Sequence, residues 1–143
     1  MPSESALLDY ITNELEETLG DGWSCETDKA WDCMHRLLGD GELDYRHETP
    51  LQGVVLGGRP LYTGEDYIVS YKSAEQVKEI ASAVERVNGD ELRRRHNDLD
   101  PKLCQFGKSE EDFAYTLSWF VPLQAFFRKA ADASRAVVFT ADQ

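Results

Sequence analysis

Apolar residues recur along this chain with two periods, one helical and one extended. Leu7, Ile11, Leu15 and Leu19 repeat every four, with Leu8 alongside, and predict a first helix over residues 4–19. Ser3 or Ser5 can cap its start, and Asp21-Gly22 ends it at a turn. The next periodic stretch runs from Asp28 to Gly39. At about 100° per residue, Ala30, Cys33, Met34 and Leu37 share one face with Leu38 beside it, while Lys29, Asp32 and Arg36 share the other. Asp28 is the expected N-cap of this helix, and Gly39 the expected left-handed terminator. Trp31 and His35 lie four apart on the border between the two faces.

Further on, Thr49-Pro50 predicts a short helix reaching about Leu56, with a strand over Val54-Val55-Leu56 as the competing reading. Gly57-Gly58 breaks the chain and suits a tight turn against neighbouring backbone. Tyr67–Tyr71 alternates and is β-rich, so it reads as a strand. Ser73 and Gln76 form a capping box for a helix to about Val87, with Val77, Ile80, Ala81 and Val84 inward. Asp90 caps a short helix from Glu91 to about His96. Ser109 with Asp112 opens the longest helix, to about Ala131. It is apolar nearly all round and so is expected at the centre of the core, with a kink or break at Pro122. Ala136–Thr140 closes the chain as a strand.

These elements give an α+β fold, mostly helical, as a single domain over residues 1–143 with a small β-sheet. Two strands alone are marginal, so a third is expected near residues 22–27 or 53–57. A chain of 143 residues can bury about 68–70% of its unfolded surface and needs no metal or disulfide staple.

Charge narrows the function. The net charge is −12, and residues 1–71 carry 15 acids against 4 Lys/Arg. Such a surface repels phosphate backbones and anionic lipid, which argues against nucleic-acid and membrane partners. No apolar run approaches the roughly 20 residues of a membrane span. Cys25, Cys33 and Cys104 form no C-x-x-C pair, and the first residues show no signal-peptide pattern, so three free thiols in a cytoplasmic protein are expected.

Candidate chemistry is sparse. No G-x-S-x-G, phosphate-binding glycine loop or clustered Cys/His set is present. The acidic loop over residues 39–49 lacks the calcium-loop pattern, so no metal and no cofactor are expected. Arg93-Arg94-Arg95 is the only basic cluster. Successive helical side chains point about 100° apart, so it is expected to pair with acids or solvent.

Asp28-Lys29-Ala30-Trp31, His35, Leu37-Leu38-Gly39, Pro50-Leu51 and Val54–Gly58 recur in an order that resembles the YfbM-like family of bacterial proteins. Ser73–Ala81, Glu91-Leu92-Arg93, Phe126-Phe127 and Ala130-Ala131 extend the resemblance over roughly residues 5–140. Members of that family open on a strand containing methionine and glycine, whereas this chain opens on a helical pattern. Val69-Ser70-Tyr71 stands where the family carries an arginine. The resemblance implies an α+β fold and brings no established activity, so it supplies no catalytic residues.

Three functions remain open. The first is a module that binds a small molecule or a protein, with Trp31, Asp32, His35 and Tyr71 as candidate ligand-binding residues. The second is a hydrolase- or transferase-like enzyme using Asp32 and His35 as an acid–base pair. The third is a stress- or defence-linked accessory protein acting through its acidic face. Against the first two stands a structural role, with Trp31 in the core and His35 bonded to backbone.

Overall fold

The computed structural model describes Ala6 and residues 23–62, 64–99 and 109–142. The helix expected over residues 4–19 therefore lies outside the described residues, Ala6 excepted. A 3-10 turn over Asp28–Ala30 leads into α1 (Trp31–Leu38), and a second 3-10 turn covers Pro50–Gly53. There follow β1 (Arg59–Pro60), β2 (Tyr67–Lys72), α2 (Ala74–Val84), α3 (Gly89–Asp98), α4 (Glu110–Asp132) and β3 (Val137–Asp142). The fold is α+β and mostly helical, with one antiparallel sheet in the order β1-β2-β3.

The third strand is not where the sequence pointed. Val54–Leu56 continues the 3-10 turn and packs into the core. The pairing falls instead to Arg59 and Pro60, which align with Tyr71 and Ser70. Pro60 lacks a backbone donor, so it suits an edge strand. The expected tight approach at Gly57 is present: a Cβ there would stand 2.3 Å from the Gln52 carbonyl oxygen and 2.5 Å from that of Arg46.

The helix starts follow their caps, with two corrections. In α2 the Ser73 hydroxyl accepts from the Gln76 N–H at 3.2 Å, and the Gln76 side chain accepts from the Ser73 N–H at 2.9 Å, as the capping box required. For α3 the cap is Asn88, not Asp90: the Asn88 side chain accepts from the Glu91 N–H at 2.9 Å. Asp28 does not cap α1. It has a positive φ of 47° and its carboxylate accepts from the Tyr115 hydroxyl, which ties the start of α1 to α4. Gly39 is not left-handed either; Gly41, with φ of 92°, takes that conformation two residues later and donates to the Arg36 carbonyl.

α4 runs through Pro122 without a break in the helix. Pro122 and Ser118 lie on the exposed side, where solvent can satisfy the freed Ser118 carbonyl. The helix is also less enclosed than its composition suggests. Phe113, Thr116, Phe120, Leu123, Phe127 and Ala130 are buried, whereas Ala114, Val121 and Ala125 face outward. The buried stripe meets Val77, Ile80, Ala81 and Val84 of α2 in one apolar core that also takes in α1. Gln124 fastens the end of α2, donating to the Val84 and Val87 carbonyls at 2.8 Å each. Those carbonyls are thereby satisfied without further helical turns, and α2 ends at Val84 rather than Val87.

The arginine cluster is held by acids, as its helical spacing implied. Arg94 and Arg95 pair with Glu91, and Arg93 with Glu110. Among the described residues, no helix is long and apolar enough to cross a membrane.

The thiols do not follow expectation. Cys25 is free, but Cys33 is disulfide-bonded. Cys104 lies outside the described residues. Sequence spacing does not report which sulfurs meet in space, and Cys33 is buried on the inner face of α1.

Candidate functional site

The backbone register of the sheet sets the site. Antiparallel pairing places Lys72 opposite Val137 and Ser70 opposite Phe139. Side chains alternate across a strand, so Ile68, Ser70 and Lys72 share one face with Val137, Phe139 and Ala141. Phe139 is then the diagonal neighbour of Lys72. The Lys72 Nζ lies 5.4 Å from the Phe139 ring centroid.

Between β3, the C-terminal half of α4 and the segment over residues 23–27 lies a cleft of about 510 Å³. Trp23, Cys25, Phe126, Phe127, Arg135 and Phe139 form much of its wall. The Arg135 guanidinium stands 3.7 Å from the centre of the Trp23 ring. The entrance therefore joins a flat aromatic surface to a cation. Burial, and then the neighbouring Glu26 carboxylate, push the Cys25 thiol up, so it stays protonated at neutral pH. A second hollow of about 530 Å³, bounded by Trp23, Arg128, Lys129 and Asp132, is an open surface depression along α4. The cleft behind Trp23 is the better enclosed of the two and alone reaches the sheet.

Behind the cleft wall sit the buried bases Lys72 and His35, with the half-buried His47 within reach of the Lys72 charge. Lys72 is fully buried, and its amine donates to the Val55 carbonyl. Burial alone pushes it down to about 7. His35 is buried to 2% exposure, and its Nδ1 accepts from the Leu56 N–H at 3.3 Å. Nε2 therefore carries the proton, and the imidazole also bonds the Asp44 backbone. Burial chiefly lowers its pKa; Asp44 opposes that, and the Lys72 charge adds to it. His47 is lowered by burial and then by Lys72, with Glu79 opposing. Its Nδ1 is buried without a hydrogen-bond partner.

The four residues singled out in the sequence do not converge. Trp31 reaches the cleft indirectly: its ring packs on Phe139, centroids 5.6 Å apart and planes tilted by 54°. His35 points into backbone, not toward Trp31 or the cleft. The Asp32 carboxylate accepts from Arg36 Nε at 2.7 Å, one turn on, so it forms no pair with His35. Tyr71 is half-buried on the opposite face of β2, opposite Arg59 and Val138. Within the acidic loop Arg46 pairs with Asp40 and Asp44, and the loop keeps an excess of acids. Among the described residues, no group of His, Cys, Asp and Glu could hold a metal ion.

Arg135 and Phe139 do meet at the cleft, and Lys72 lies behind its wall, under Phe139. A signal for Lys72 existed: it continues the inward parity of Ile68 and Ser70, a position where a lysine is out of place.

Neither the curated proteins nor the solved structures contain a match to this chain. A family model does match: residues 1–140 fit DUF1877, a domain of unknown function, and the chain belongs to that family.

Proposed function

We propose that this protein is a small-molecule-binding module of YfbM-like type, and that the cleft between β3 and α4 is its binding site. The observation that supports this reading is the cleft itself. Its 510 Å³ falls in the range of small-ligand sites, and among the described residues its wall combines aromatic rings with one cation, Arg135, and one carboxylate, Glu26, at the outer edge. That composition suits a flat organic molecule bearing an anionic group, packed against Phe126 with its charge at Arg135, whose guanidinium, like the Lys129 amine, already lies over the Trp23 ring.

Catalysis by Asp32 and His35 has no comparable support, since each is bonded to a different partner. Trp31 enters the site as the support of Phe139, and Tyr71 lies outside it.

The test is a thermal-shift screen of aromatic and heterocyclic carboxylates. A ligand that binds only the native state raises Tm, by about 2.7 kcal/mol of stabilisation at a hundredfold excess over Kd. Phe126→Ala and Arg135→Gln are each expected to remove that shift. A shift that survives both changes would place the ligand elsewhere, and no shift from any such compound would remove the reading.

A further inference from the structure

We propose that Lys72 is a covalent anchor for the cleft, an amine that captures the carbonyl group of an aldehyde or ketone ligand as an imine. This rests on the reading of the cleft as a ligand site.

The placement carries the argument. The Lys72 amine donates to the Val55 carbonyl and stands 5.4 Å from the centre of the Phe139 ring, and both residues belong to the cleft wall. The amine is therefore one side chain away from the cleft. Phe139 is only half-buried and leans on Trp31, so rotation of this one ring opens the amine to the cleft.

The surroundings of Lys72 are also wrong for a structural salt bridge. The titratable groups that feel its charge are the imidazoles of His35 from α1 and of His47 from the loop before the Pro50–Gly53 turn. The acids that act on these rings are Asp44 on His35 and Glu79 on His47. Among the described residues, no carboxylate acts on Lys72 itself. A buried amine without an acid is uncharged for much of the time at neutral pH, and only the uncharged amine is a nucleophile.

The chemistry balances without a further reagent. The Nζ lone pair attacks the carbonyl carbon and forms the C–N bond. The two protons lost from nitrogen leave with the former carbonyl oxygen as water, and the C=N double bond remains. Arg135 at the entrance favours an oxo acid or an aromatic aldehyde with a carboxylate.

The experiment treats the full chain at pH 7.5 with sodium cyanoborohydride and one of two probes, formaldehyde or 4-formylbenzoate. Hydride from the borohydride reduces any imine to a stable secondary amine, which peptide mapping locates. Lys72 is expected to be modified by both probes roughly tenfold or more faster than the exposed Lys29, Lys78 and Lys129. Phe139→Ala should speed its labelling, and Phe126→Trp, which fills the cleft, should slow it. Lys72→Met should lose the adduct and keep the thermal shift given by benzoate-type compounds. Labelling confined to surface lysines while those compounds still raise Tm would overturn the anchor and leave the cleft intact. Labelling of Lys72 at a rate indifferent to both cleft variants would overturn the proposal as well. Loss of every thermal shift together with sparing of Lys72 would remove the cleft reading and the anchor with it.

Discussion

Lys72 lies under the Phe139 ring, its amine 5.4 Å from the ring centroid, at the diagonal of an antiparallel pair whose direct partners are Lys72–Val137 and Ser70–Phe139. One side of the relationship is apolar surface that a lysine stem covers well; the other is an ammonium withdrawn from water. The Val55 carbonyl supplies one acceptor where an ammonium has three donors. The position therefore favours the uncharged amine, and stability must depend on pH through it.

The direction follows from linkage. Lys72 is pushed down to about 7 in the folded chain from an ordinary value of 10.5. Between these values the unfolded chain holds the proton more often than the folded one, so stability rises with pH across that window. The gain should be on the order of 4 kcal/mol from this group, lost again as pH falls back toward 7. Urea melts of the native chain and of Lys72→Met at pH 7, 8, 9 and 10 isolate it. The difference between the two curves should slope by about 1 kcal/mol per pH unit, and parallel curves would mean that the amine stays charged when folded.

Gly57 gives a second expectation. Its missing side chain leaves room for two carbonyl oxygens, and neither backbone can retreat cheaply: Gln52 closes the Pro50–Gly53 turn onto the Gly57 N–H at 2.9 Å. Gly57→Ala should destabilise by about 1–3 kcal/mol, as forced overpacking does. Gly89→Ala is the control, since a Cβ there meets nothing within 4 Å. Chemical denaturation of both variants checks the contrast, and equal midpoints would show that the turn relaxes.

Much of the fold was legible because local signals carried it. The capping boxes at Ser73 and Ser109, the inward stripe of α2 and the strand at Tyr67 all came through period and cap chemistry. The third strand did not, because two exposed residues ending in proline leave no alternation to read. The site was least legible. Trp31 and His35 are neighbours on a helical wheel, but His35 is consumed by the Leu56 N–H, a bond across 21 residues of sequence. The cleft depends on the register between β2 and β3, which brings Phe139 over Lys72. Periodicity within one strand says nothing about a partner some 65 residues away, although the lysine at an inward position was a visible irregularity.

His35 can be tested against that structural role. His35→Leu removes the acceptor of the buried Leu56 N–H and should cost about 1–3 kcal/mol at pH 8. Burial holds the folded pKa below 6.5, so the unfolded chain takes up the proton first and native stability falls as pH drops through 6.5. His47 shifts in the same direction and adds to the fall. The leucine variant should therefore be less stable than the native chain at pH 8 and close part of that gap by pH 5. Denaturant midpoints at the two pH values decide it; a gap that widens in acid would mean that a charged His35 stabilises the fold.

The thiols make the last case. Cys33 is buried and disulfide-bonded, while Cys25 is a half-buried free thiol whose proton is held by burial and by Glu26. Alkylation of the native chain without reductant should leave Cys33 unmodified. Cys25 should react slowly near pH 7 and faster as pH rises, because the thiolate is the reacting form. A thiol reductant should then expose Cys33 to alkylation and lower stability by about 2–4 kcal/mol, the usual contribution of a disulfide. Ligands of the cleft should slow the reaction of Cys25, which lies in its wall, and leave Cys33 indifferent. Mass spectrometry of peptides after timed alkylation reads all of these at once. Modification of Cys33 in the native, unreduced chain would show that its sulfur is free, and an unchanged Cys25 rate with bound ligand would place that ligand away from the cleft.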